Sequence, residues 1–255
     1  MPYTLVHPAA VIPLSRGRLV PSALIAGAMI PDLFRSVGTG ADRLSHQWLS
    51  TVTLSPLLAL VFLAAFHLVL KWPVLDLAPA SLRRGLAGPA RGFRLASPAD
   101  AFFVWLSTAI GAATHVLWDA FTHGDFIGWS GDPVIAGFNG IQLVQDGSSV
   151  VGLAVIVVWL VRWYRRAPEG VAPAGLGHRN RITARIVLST TAAAAALYPL
   201  LFPSRPFSDY GVDAGKLAWN IATDMLLSAV SVTLLALTAY ALLHRLTCTI
   251  RNRTA

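Results

Sequence analysis

The sequence predicts an all-α integral membrane protein, a polytopic helix bundle of five to six spans. Three observations carry this. Hydrophobic residues make up 55% of the 255 residues and charged residues only 13%, with a mean hydropathy of +0.61. A soluble domain carries roughly 25% charged residues, so part of this surface must face lipid. Several apolar runs also approach the roughly 20 residues that cross a bilayer. Finally, the arginines gather between those runs, as the positive-inside rule requires.

Five stretches qualify as spans: 49–70, 99–121, 150–161 (extended by Ser148 and Ser149 before it and Trp163 after it), 186–202 and 217–243. A sixth run, 19–34, is interrupted by Pro21 and Pro31 and reads as a short span or a re-entrant helix. The whole chain is expected to be one membrane domain. It comprises an N-terminal segment 1–48, core spans in 49–166 and two further spans in 184–245. Loops 72–98 and 167–183, rich in Pro, Gly, Ala and Arg, read as solvated linkers.

Loop charge sets an orientation. Lys71, Arg83, Arg84, Arg91 and Arg94 lie in one loop, Arg162 to Arg185 in another, and Arg245, Arg251 and Arg253 in the tail. These belong in the cytoplasm, which places the C-terminus there. The opposite loops carry Asp42, Asp125, Asp132, Asp146, Asp209 and Asp213. The net charge of +8 therefore reports topology rather than nucleic-acid binding, since no basic, aromatic-interleaved segment is present. A single cysteine, Cys248, excludes disulfide scaffolds and thiolate metal clusters. Any metal site must use His, Asp, Glu or Asn.

The informative segment runs from His115 through Asp119 to His123. Positions i, i+4 and i+8 share one helix face. Two imidazoles and a carboxylate there match a mixed nitrogen and oxygen metal site. Ionisable groups at the end of an apolar span face the protein interior and mark function. Asp32 closes the 19–34 run and His46 opens the next span on the same outer side, so both can meet that helix. His67, 21 residues beyond His46, lies roughly 31 Å away along a helix and reads as an interfacial residue. His178 and His244 read as solvated. Asp224 sits about two turns into the last span, with Asn220 one turn outward on the same face. Gln145, Ser148 and Ser149 open the third span, where either serine would act as an N-cap and leave free N–H groups facing a phosphate. The side on which His7 lies depends on whether 19–34 crosses or re-enters.

Several stretches together resemble an uncharacterised bacterial membrane family, domain of unknown function 4184. They are the opening Met1-Pro-Tyr-Thr-Leu-Val-His7-Pro8, then Gly27-Ala-Met-Ile-Pro31-Asp32, Ser45-His46, His115-Val-Leu-Trp-Asp119-Ala-Phe-Thr-His123 and Gln145-Asp-Gly-Ser-Ser149. The resemblance covers residues 1 to 165 by motif and the rest by hydropathy. That family is distantly similar to predicted membrane-bound metal-dependent hydrolases. The resemblance implies that His7, Asp32, His46, His115, Asp119 and His123 are metal ligands or catalytic groups. It also implies that His7 is on the outer side.

The expected activity is cleavage of a lipid-like phosphate or diphosphate ester at the outer leaflet. A divalent metal would assist, with zinc favoured by the imidazole count and manganese, magnesium or iron as alternatives. Asp32 and Asp224 are candidate general bases. Gln145, Ser148, Ser149 and Asn220 are candidate substrate contacts. Two alternatives use the same residues. One is an isoprenoid-diphosphate lyase or cyclase with a dry pocket lined by Trp105, Trp118 and Trp219. The other is a small transporter or assembly factor without catalysis. The bilayer is the expected partner; the sequence leaves the oligomeric state open.

Overall fold

A computed structural model describes residues 4–33, 44, 46–93, 95–122, 140–173, 175–202 and 214–254. Among these there is no strand. The helices are α1 (Pro8–Val11), α2 (Pro21–Leu33), α3 (Trp48–Val52), α4 (Leu54–Ala64), α5 (Lys71–Leu77), α6 (Ala80–Ala90), α7 (Pro98–Thr122), α8 (Gly140–Arg166), α9 (His178–Leu201) and α10 (Ala214–Thr254). A six-residue π-helical stretch, Ala65–Leu70, joins α4 to α5.

Among the described residues, five helical stretches are long and apolar enough to cross a membrane: Leu54–Leu77, Pro98–Thr122, Leu143–Arg166, His178–Leu201 and Asp224–Ile250. Their large apolar side chains point outward: Val150, Leu153, Leu235 and Leu243 are all exposed. A water-soluble fold would bury them; a lipid-facing helix displays them. The expected spans exist, with shifted limits. The first ends at Leu77 rather than 70, and the third gains its N-terminal turns. The first expected linker is largely helical, and the second only in its last residues. Loop 72–98 holds the end of α5 and all of α6, and α9 begins at His178, inside the second expected linker.

The chain forms two compact units. The first contains residues 1–66 and 89–168. Its centre is α2, held between α4 and α7. Ala23, Ala26 and Ile30 of α2 pack with Ala59 and Leu63 of α4 and Val104 of α7. On another face Leu24 and Ala28 meet Val11, with Ile110 against them.

The α2–α7 crossing is closer than side chains normally permit. A Cβ on Gly27 would stand 2.1 Å from the Thr108 carbonyl oxygen, and one on Gly111 2.2 Å from that of Leu24. Ala23 and Gly27 on one helix, and Ser107 and Gly111 on the other, form the small-x-x-x-small pattern that lets backbones touch where no hydrophobic force pulls helices together. The Ser107 hydroxyl accepts the backbone N–H of Val20, satisfying a donor that α2 leaves free at its start.

The N-terminal residues show how the ends of the 19–34 run are placed. Thirteen residues rise only about 20 Å, short of a roughly 30 Å hydrocarbon core. His7, before α1, and Asp32, at the end of α2, lie side by side against α7. Between them the chain descends to the level of Ser107, about 12 Å along α7 from His115. It turns at Gly17, whose positive φ of 65° suits glycine. Arg18 lies over the Phe103 ring at 4.1 Å. Segment 7–32 thus forms a hairpin whose two ends meet beside α7. Gly152 of α8 packs on Val6 and Ala9 and closes the hairpin's other side.

The second unit contains residues 67–88 and 169–255. Here α9 and α10 pack along each other, and α5 packs against both. Asp76, buried near the end of α5, joins these parts. It accepts hydrogen bonds from the Leu176 N–H at 2.8 Å, His244 Nε2 at 3.1 Å, and Arg83 and Arg181 Nη1 at 3.2 Å each. His244 is therefore buried and bonded, not solvated as its position at the end of a span suggests; His178 is exposed as expected.

The glycine crossing makes a direct prediction. Gly27→Ala or Gly111→Ala forces α2 from α7 and is expected to cost about 3 kcal/mol or more. Gly147→Ala on α8, whose Cβ would meet nothing within 4 Å, should be neutral or stabilise by roughly 0.5–1 kcal/mol. Thermal unfolding in detergent checks both. Equal midpoints for all three variants would refute the tight crossing.

Candidate metal centre

The close crossing puts α2's last turn against α7 at His115. Pro31 carries no N–H, so the carbonyl of Gly27 lacks its usual helical donor. One residue on, the carbonyl of Ala28 accepts a hydrogen bond from His115 Nδ1 at 2.8 Å. A carbonyl only accepts, so the proton sits on Nδ1. In the neutral ring the lone pair is then on Nε2.

That Nε2 faces three other donor atoms. It lies 3.6 Å from Asp32 Oδ1, 3.4 Å from Asp119 Oδ2 and 3.4 Å from His46 Nε2. His46 Nε2 is in turn 3.7 Å from Asp32 Oδ1 and 3.5 Å from Asp119 Oδ2. One donor from each of Asp32, His46, His115 and Asp119 lies within 4.8 Å of the others. Charge-assisted hydrogen bonds run at roughly 2.7–2.9 Å, so these contacts are long for direct bonds. Donors about 2.0–2.1 Å from one tetrahedral ion would stand about 3.3–3.4 Å apart. Five edges of 3.4–3.7 Å approximate that tetrahedron.

Each member is placed by a different element. His115 and Asp119 lie one turn apart on α7, Asp32 is the penultimate residue of α2, and His46 stands just before α3. His7, ahead of α1, supports the set from behind. Its Nε2–H donates to Asp119 Oδ1 at 3.1 Å, leaving Oδ2 toward the other donors. The His7 ring stacks on His115 with centroids 3.9 Å apart, and Trp118 meets its edge at 6.0 Å. His7 Nδ1 is buried without a hydrogen-bond partner, its nearest carboxylate oxygen being Asp32 Oδ2 at 3.9 Å. Thr4 adds a hydrogen bond to the Asp32 carboxylate.

Burial is graded. His115 and His7 are enclosed, with side chains 0% and 1% exposed, whereas His46 is 25% exposed. The centre therefore opens at His46. Exposed Trp48 and Leu49 follow it directly.

The structure thus brings His7, Asp32, His46, His115 and Asp119 together. His123 lies outside the described residues. Ser148 and Ser149 are not N-caps. The helix begins at Gly140, and both hydroxyls donate back to the Gln145 carbonyl, at 3.0 and 2.7 Å. Gln145 is half-buried on the same helix, two turns before Gly152. Asp224 and Asn220 belong to α10 in the second unit, and the Asn220 side chain is outside the described ones. His67 also lies in the second unit. Trp118 packs on the centre, Trp105 packs with Phe102 lower on α7, and the Trp219 side chain is not described.

Sequence reasoning missed Thr4 and the Ala28 carbonyl. A backbone acceptor leaves no side-chain signature. The available signal was the paired small-residue pattern that brings α2 and α7 into contact.

No curated protein and no solved structure matches the chain. A family model described as a domain of unknown function, DUF4184, matches residues 1–244. The match takes in both units and nearly the whole length, so the chain belongs to the DUF4184 family.

Proposed function

We propose that this chain is a membrane-embedded metal-dependent hydrolase acting on a lipid-like phosphate or diphosphate ester at the outer leaflet. What carries the reading is the near-tetrahedral set of His46, His115, Asp32 and Asp119. Two imidazoles with two carboxylates suit zinc; magnesium prefers six oxygens in an octahedron. The supporting groups fit as well. Metal-binding histidines donate their other ring N–H to an acceptor, as His115 does to Ala28, and ligating carboxylates are themselves hydrogen-bonded, as Asp119 is by His7.

An ion held by these four residues, with its shell expanding to admit one more ligand, would supply Lewis-acid chemistry: it would polarise a phosphoryl oxygen and make water a stronger nucleophile. The rest falls to the chain. His115 is held in one tautomer and cannot turn. His7 fixes Asp119. Asp32 acts as general base through Oδ2, which lies on the His7 side of its carboxylate, 3.9 Å from Nδ1. Substrate enters beside His46, over exposed Trp48 and Leu49. An apolar entrance favours a substrate that arrives within the bilayer.

Elemental analysis of the detergent-purified protein tests the metal. Wild type reconstituted with zinc is expected to hold it stoichiometrically, and Asp119→Ala to hold none. His7→Ala should weaken metal affinity about 10–100-fold, with His7→Gln partly restoring it by donating to Asp119. Metal-free wild type after reconstitution with zinc, manganese or magnesium would overturn the reading.

Product analysis with phosphatidate and a prenyl diphosphate tests the chemistry. Free phosphate or diphosphate with the corresponding alcohol supports hydrolysis. A hydrocarbon or cyclised product would replace it with the lyase reading. A wild type that binds metal but turns over neither substrate would contradict the proposed substrate class.

A further inference from the structure

The second unit holds a cavity of about 420 Å³ lined by Arg83, Arg84 and Arg181, with Gly170 to Pro173 and Gly175 forming its wall. We propose that it is a binding site for a phosphate group, carried by the headgroup of an anionic lipid. The site is separate from the His and Asp centre and does not depend on what that centre does.

Three observations support it. Two of the arginines, Arg83 and Arg181, are positioned rather than loose, while Arg84 is exposed. Asp76 Oδ1 accepts one Nη1 donor from Arg83 and one from Arg181, which fixes both guanidiniums. Each guanidinium has five N–H donors in a rigid fork, so donors remain for an anion. Arg84, also lining the cavity, has no carboxylate partner among the described residues. The three positive charges are thus offset by one carboxylate, itself already bonded to Leu176 N–H and His244.

The wall is built to fit. The Gly170 N–H donates to the Arg84 carbonyl at 3.0 Å, tying the loop to α6. A Cβ on Gly175 would stand 2.1 Å from Asp76 Oδ1, so only glycine lets the loop close over the carboxylate.

The position fits a lipid. Asp76 lies in the last turn of the apolar stretch Leu54–Leu77, and Arg181 in the first turn of the apolar helix His178–Leu201. Both are where a span meets the headgroup layer. Arginines clustered there recognise phosphate by paired, charge-assisted hydrogen bonds.

The test uses the full-length protein in neutral detergent. Its unfolding midpoint is followed with added phosphatidylglycerol, phosphatidylcholine or soluble glycerol phosphate. Phosphatidylglycerol is expected to raise the midpoint by roughly 3 °C or more, and phosphatidylcholine to leave it unchanged. Arg84→Gln should lose most of that rise while keeping the lipid-free midpoint. Arg165→Gln, which removes the same charge from the exposed end of α8, should keep the rise. An equal rise with glycerol phosphate would identify a free phosphate ester as the source; a rise with phosphatidylglycerol alone would identify a lipid. No rise with either, or the same rise in Arg84→Gln as in Arg165→Gln, would overturn the proposal.

Discussion

The contact between Gly27 and Gly111 sets the geometry of the first unit. Backbones that close leave α2 and α7 no freedom to slide, because a shift drives a carbonyl oxygen into a neighbouring turn. The register follows from that contact. Ala28 stands opposite His115, and Asp32, one turn further along α2, reaches the level of Asp119, one turn further along α7. Two helices thereby present an imidazole and two carboxylates to one point.

The N-terminal hairpin completes the centre. A straight segment would have left His7 and Asp32 at opposite ends. A hairpin that descends to Ser107 and returns puts them side by side. Ionisable groups at such depth are costly against lipid. Here the cost is offset by mutual contact and by burial among α1, α2 and α7. His46, 25% exposed, is the member most open to its surroundings.

Much of this was legible in the sequence. Apolar length located the five candidate spans among the described residues, with shifted limits. The spacing of His115 and Asp119 identified the centre's main helix, and Asp32 and His46 followed from their place at span ends. The family motif, not spacing, brought in His7. Proline and glycine content misled in loop 72–98, where α6 forms despite Gly85, Gly88 and Pro89. Apolarity likewise placed the start of α8 too late, because Gln142, Gln145 and Asp146 interrupt hydropathy without interrupting the helix. Asp76 gave no signal as a lone carboxylate between arginines. Its importance lies in joining segments about 100 and 168 residues distant.

The central claim is that four side chains share one ion, and the coordination shell itself tests it most directly. Zinc-edge X-ray absorption on the reconstituted protein should give four nitrogen and oxygen neighbours at about 2.0–2.1 Å. Outer-shell scattering should indicate two imidazoles, and no sulfur should be present. A fall from two imidazoles to one in His115→Ala would tie the shell to this centre. A shell of oxygens alone, or one unchanged in that variant, would contradict it.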